Sequence, residues 1–123
     1  MNKTKIAVIE DEPNICEMYR MKLASHGYNV KTALDGKEGL ALAEDFLPDL
    51  ILLDLKMPVM SGDEMLEQLR ETDWGSHIRV MVLTNISRDE APKSLQFLHI
   101  DRYIVKAHHT PSQVVDLVKE TLN

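Results

Sequence analysis

Leu50-Ile51-Leu52-Leu53 is a run of four large apolar residues that ends on a carboxylate, Asp54. A strand with one face in water alternates apolar and polar residues. A continuous run instead belongs to a parallel sheet with helices packed on both faces. An aspartate directly continuing such a run faces a desolvation cost unless something partners it. With Leu50 to Asp54, four further short apolar runs read as strands: Ile6 to Ile9, Val30 to Ala33, Val80 to Thr84 and Tyr103 to Val105.

The segments between them have helical spacing. Gly62, Met65, Leu66 and Leu69 fall at i, i+3, i+4 and i+7, as do Val114, Leu117, Val118 and Thr121. Thr110-Pro111-Ser112-Gln113 offers an N-cap, a proline at the first helical position and a capping-box partner. Ser61-Gly62-Asp63-Glu64 is a second such box, and Gly27 closes the first helix after His26. Ser87-Arg88-Asp89-Glu90 is a third, opening a fourth helix in which Pro92 sits awkwardly far inside. Five strands alternating with five helices predict an α/β fold, a (βα)5 three-layer sandwich with right-handed crossovers. The expected sheet order is the flavodoxin-like 2-1-3-4-5, taken from known proteins of this architecture, with its switch point between strands 1 and 3. At 123 residues the chain reads as one domain over 1–123.

Charge and composition narrow the function. The chain carries 14 basic and 20 acidic residues, a formal charge of -6, so it is repelled by a phosphate backbone and no direct nucleic-acid binding is expected. Cys16 is the only cysteine, which excludes an internal disulfide and a thiolate metal cluster. No stretch approaches the ~20 apolar residues that cross a bilayer. Met1-Asn2-Lys3-Thr4-Lys5 leads into an apolar run too short for a signal-peptide core, so a cytoplasmic protein without membrane contact is expected.

Acidic residues stand at the carboxyl ends of two strands: Glu10 and Asp11 after the first, Asp54 at the end of the third. In the expected order those strands are neighbours, so the three carboxylates converge in the crevice where such sheets bind ligands. Three converging anions repel unless their pKa values rise or a cation binds. Oxygen-only ligation with waters retained favours Mg²⁺. Thr84 ends the fourth strand with a hydroxyl and Lys106 follows the fifth with an ammonium. A metal, a hydroxyl and a lysine around one carboxylate suit phosphoryl transfer, with the carboxylate as nucleophile. His108-His109 lack a cysteine or carboxylate to complete a zinc set and read as loop residues.

Val8-Ile9-Glu10-Asp11-Glu12-Pro13, Leu52-Leu53-Asp54-Leu55-Lys56-Met57-Pro58, Ser61-Gly62, Leu83-Thr84 and Tyr103-Ile104-Val105-Lys106 together resemble the response-regulator receiver family of two-component signalling, in order and at family spacing. The resemblance implies that Asp54 accepts a phosphoryl group from a sensor histidine kinase or phosphotransfer protein. It implies metal ligation by Asp11, Glu10, Asp54 and the backbone carbonyl of Lys56. Thr84 and Lys106 would contact phosphoryl oxygens, and Thr84 and Tyr103 would act as the switch. The face of the fourth helix, fifth strand and fifth helix would then change its affinity for an effector protein or a fused output domain. Homodimerisation through that face is left open. The implied chemistry is self-catalysed transfer and dephosphorylation, not enzymatic turnover of a free substrate.

Three positions depart from the family pattern. Ala107 stands where proline usually follows the lysine, in a cis peptide. Asn85 stands where a small residue usually follows the threonine, and His99 where a glycine is expected at a position needing positive φ. Lys56 and Ile86 offer little to orient an attacking water, so a comparatively long-lived phosphorylated form is expected. The alternatives are a phosphorelay shuttle, a pseudo-receiver signalling by contact, and an aspartate-nucleophile phosphatase. The last needs a second aspartate where Lys56 stands.

Overall fold

All five apolar runs form strands: β1 Lys5–Ile9, β2 Asn29–Ala33, β3 Leu50–Leu53, β4 Arg79–Thr84 and β5 Arg102–Val105. The structure, a computed structural model, describes residues 3–123; Met1 and Asn2, part of the reading of the N-terminus, lie outside the described residues. The strands form one parallel sheet in the order β2-β1-β3-β4-β5, as expected. Four α-helices cover it: α1 Pro13–Ser25, α2 Gly36–Phe46, α3 Gly62–Glu71 and α4 Pro111–Leu122.

Strand parity divides the core in two. Ala7, Ile9, Ile51, Leu53, Val80 and Val82 pack against Ala43 and Phe46 of α2 and Met65, Leu66 and Leu69 of α3. Ile6, Val8, Leu50, Leu52, Met81, Leu83 and Ile104 point the other way, onto Cys16, Tyr19 and Leu23 of α1 and Val114, Val115 and Val118 of α4. Leu50, Ile51, Leu52 and Leu53 are all buried, each stabilising the fold by about 2 kcal/mol. Adjacent residues of one strand therefore serve opposite layers, which is why that run does not alternate.

The helix boundaries follow local chemistry. Thr110 forms the complete capping box with Gln113, while Ser61 makes half of one, its hydroxyl accepting from Glu64 N–H. Gly27, at φ 92, ends α1. Gly62 is required by contact: a Cβ there would lie 2.1 Å from the backbone oxygen of Asp54.

The expected fourth helix is not an α-helix, so the last α-helix is the fourth and not the fifth. Two 3-10 turns, Arg88–Glu90 and Lys93–Phe97, occupy the β4–β5 connection. Pro92 has no N–H to donate and its ring would collide with the Arg88 carbonyl in a helix begun at Ser87. It also drives Ala91 into an extended conformation, ψ 149, which breaks the segment between the turns. The Ser87 side chain makes no capping bond. His99, at φ 51, does take the left-handed conformation expected there. The described peptide bonds are all trans, Lys106–Ala107 included, and Lys106–His108 forms a short 3-10 turn. Among the described residues no helix is long and apolar enough to cross a membrane.

Candidate functional site at the carboxyl edge of the sheet

Register places the acidic residues. Ile9 pairs with Leu53, so the next residue of each strand, Glu10 and Asp54, emerge side by side. Asp54 N–H donates to the Ile9 carbonyl at 3.0 Å and Glu10 N–H to the Ala33 carbonyl at 3.1 Å, extending the ladder one step past the strands. Both continue the parity of Val8 and Leu52, and Lys106 that of Ile104, so all three aim at the α1/α4 layer. Thr84 and Tyr103 have the opposite parity, and Tyr103 packs on the α2/α3 cluster.

The result is a cleft of about 280 Å³ lined by Glu10, Asp11, Glu12, Asp54, Lys56, Thr84, Asn85, Ile86 and Lys106. Lys106 Nζ donates to Glu10 Oε1 at 2.7 Å and to Asp54 Oδ2 at 3.1 Å. Asp54 Oδ1 accepts from the Leu55 N–H at 2.7 Å and, more weakly, from the Lys56 N–H at 3.4 Å. Glu10 and Asp54 are 4% and 7% exposed, so these ion pairs are little screened. Burial pushes the Glu10 carboxyl up to about 8, with Asp54 adding to the rise against the pull of Lys106. Burial would raise Asp54 as well, but Glu10, Lys106 and Thr84 together hold it below its ordinary value. The two carboxyls therefore titrate as a pair, with burial driving Glu10 upward and the surrounding groups holding Asp54 down. Burial would lower Lys106, and the carboxylates outweigh it and hold the ammonium above its ordinary pKa.

Glu10, Asp11 and Asp54 each offer a carboxylate oxygen, all within 4.8 Å of one another. Glu10 Oε2 is buried and has no hydrogen-bond partner among the described residues. An orphaned buried carboxylate oxygen beside two further oxygen donors fits a hard divalent cation. Lys56 lines the cleft, its N–H lies 3.4 Å from Asp54 Oδ1, and the residue is exposed.

Thr84 is 1% exposed, and its hydroxyl accepts from the Ile86 N–H at 3.3 Å. The Tyr103 hydroxyl donates to the Ile86 carbonyl at 2.7 Å. Ile86 thus joins the strand-end threonine to the tyrosine through the two sides of one residue's backbone. The sequence reading did not single out that link, although a hydroxyl two residues before an N–H is the signature of a local side-chain turn. Asn85 is exposed at the mouth, and His108 and His109 stand outside the cluster, with His109 Nδ1 3.4 Å from the Val105 carbonyl.

Comparison with known proteins agrees with this fold. The family profile described as "Response regulator receiver domain" matches residues 6–119. The alkaline phosphatase synthesis transcriptional regulatory protein PhoP of Bacillus subtilis is 36% identical over 124 residues, covering 99% of this chain and 49% of that protein. The hybrid signal transduction histidine kinase D of Dictyostelium discoideum is 43% identical over 83 residues, 68% of this chain and 5% of that one. The chain thus spans half or less of the length of these curated relatives. Among solved structures, the chemotaxis response regulator CheY4 of Vibrio cholerae superposes with a TM-score of 0.88 at 27% identity, covering 98% of this chain and 100% of that one. A CheY-like receiver domain protein of Methanospirillum hungatei gives 0.89 at 27% identity, covering 98% and 94%.

Proposed function

The chain belongs to the response regulator receiver domain family, and from that premise we propose that it is a phospho-accepting switch, a single domain over residues 1–123 acting in the cytosol. The observation that carries the reading is the Lys106 ammonium bridging Glu10 and Asp54 at the ends of adjacent strands. Asp54 is ionised, held by the Leu55 N–H, and open to the cleft, the state a carboxylate nucleophile needs. Its oxygen attacks the phosphorus of a phosphohistidine on a sensor kinase or phosphotransfer protein. The P–N bond breaks, its electron pair returns to the imidazole, and an acyl phosphate forms on Asp54.

Glu10, Asp11, Asp54 and the Lys56 carbonyl would hold Mg²⁺, which when bound offsets the negative charge of the transferred group and its acceptor. Lys106 then exchanges its Asp54 contact for a phosphoryl oxygen, and the Thr84 hydroxyl turns to another. That turn releases the Ile86 N–H, so the carbonyl held by Tyr103 shifts too, and an existing balance of two conformations moves. The surface that responds is the β4–β5 connection with β5 and α4, offered to an effector or an attached output domain. The activity is self-modification. Lys56 and Ile86 give an attacking water little help, which supports a slow loss of the phosphoryl group.

Incubation with acetyl phosphate and Mg²⁺, followed by intact-mass measurement, tests the reading. Wild type gains one phosphoryl group and Asp54→Asn gains none. A gain that survives the substitution, or in wild type neither a gain with acetyl phosphate nor a conformational response to beryllofluoride, removes Asp54 as acceptor. Turnover of small phosphoesters, lost in Asp54→Asn, would instead establish the phosphatase alternative.

A further inference from the structure

The amino edge of the sheet, opposite the carboxylates, carries a groove of about 700 Å³ lined by Arg70, His77, Ile78, Arg79, Phe97 and His99. β4 starts at Arg79 and α3 ends one residue past Arg70, so chain direction brings both arginines to this end. The chain has a formal charge of -6, yet the groove has two guanidiniums and a single carboxylate, that of Asp101. That carboxylate is engaged already. Its Oδ2 accepts from the Val80 N–H at 3.0 Å, and its Oδ1 meets Arg79 Nη1 at 3.5 Å, a long contact that solvent screens. Arg70 gives its hydrogen bonds to carbonyls and, among the described residues, forms no ion pair. Burial holds its guanidinium below the ordinary value, against the pull of the Asp101 charge. A partly buried cation bonded only to neutral oxygens keeps a charge that a nearby anion would offset. Phe97 is 79% exposed and belongs to neither core layer. An exposed phenylalanine needs no explanation by itself. This one shares a groove with unneutralised cations, and Arg70 holds the carbonyls of the two residues that follow it.

We propose that this groove docks an acidic segment of a partner protein, with a carboxylate on Arg79 and a neighbouring apolar side chain over Phe97 and Ile78. Arg79 exchanges its long Asp101 contact for two parallel bonds from its planar fork. Arg70, whose hydrogen bonds are taken, contributes charge rather than a fork. Arg70 also fixes the backbone on both sides of the groove, at the loop before β4 and after Phe97, so little ordering accompanies binding. A nucleic acid would extend its repeated phosphates over a surface that is acidic overall, whereas a short acidic segment meets only the local field. The inference is independent of phosphoryl acceptance at Asp54, since no residue that lines the acceptor cleft also lines this groove.

The test is fluorescence anisotropy in EDTA with two dye-labelled peptides, one alternating glutamate with leucine and one alternating glutamate with phenylalanine. At least one binds wild type, and more weakly as salt rises. Arg79→Gln and Phe97→Ser each raise Kd about tenfold. Lys37→Gln, which removes an exposed cation from α2, leaves it unchanged. Arg79 and Phe97 are both exposed, so the variants melt near wild type and the loss of binding reports on the groove. No binding of either peptide overturns the proposal, as does a Kd that either groove substitution leaves unmoved. Tighter binding of an oligothymidylate would assign the groove to nucleic acid, and a wild-type dimer that Phe97→Ser dissolves would assign it to a second copy of the chain; each overturns the proposal. Binding that appears only with beryllofluoride and Mg²⁺ does so too, because it places the peptide on the surface that responds to phosphorylation.

Discussion

Glu10 has one carboxylate oxygen on Lys106 and the other without a hydrogen-bond partner, in a position that is 4% exposed. Its carboxyl is raised from 4.5 to about 8, so the folded protein retains a proton that the unfolded chain releases. That contribution to stability is complete below the unfolded value near 4.5 and is lost as pH rises through the folded value near 8. In EDTA, the thermal midpoint should therefore fall from pH 5 to pH 8 more steeply in wild type than in Glu10→Gln, which cannot release that proton. Mg²⁺ should reverse the trend for wild type, because a cation at the carboxylates substitutes for the proton. Parallel melting curves of the two proteins across this range in EDTA would show that Glu10 is not the group responsible.

At the scale of elements, Arg70 on α3 does work that no pattern announces. Its guanidinium donates to the carbonyls of Gly75 and Ile78 at 2.9 and 2.8 Å, and to those of Leu98 and His99 at 2.8 and 2.7 Å. It therefore fastens the end of α3 to the loop before β4 and to the residues just after the second 3-10 turn. Arg70→Met keeps the apolar stem and leaves several carbonyls unpaired, so the urea midpoint should fall by an amount equivalent to about 3 kcal/mol. A change below about 0.5 kcal/mol would mean that water replaces the guanidinium freely. The same scale separates what the sequence discloses from what it hides. The strands were legible because a sheet covered on both faces demands unbroken apolar runs. Glu10, Asp54 and Lys106 were legible because each follows such a run by one residue, and register does the rest. The β4–β5 connection was misread because a capping signal at Ser87 and a breaker at Pro92 compete locally, and the breaker wins. Arg70 was invisible because its partners lie outside its own helix and follow no period. The left-handed turn at His99 was anticipated only through the family pattern, which usually has a glycine there.

Across the whole molecule, the carboxylate cluster and the core are separate. The two apolar layers hold the sheet together without the carboxylates, which lie beyond its carboxyl edge. Removal of divalent cations with EDTA should leave the far-ultraviolet circular dichroism unchanged while abolishing the response to beryllofluoride. Loss of secondary structure in EDTA would instead make the metal part of the fold. The division by parity continues at that edge: Glu10, Asp54 and Lys106 face one layer, and Thr84 and Tyr103 face the other. Among the described residues the Ile86 backbone joins Thr84 to Tyr103. A connection of that kind has no built-in direction. If phosphorylation alters how tightly a partner is held at the Tyr103 side, then the partner must alter, by the same factor, how favourably the phosphoryl group is held at Asp54. The domain would then report the presence of its listener back to the kinase that addresses it, and the balance between the two messages would be set by concentration alone.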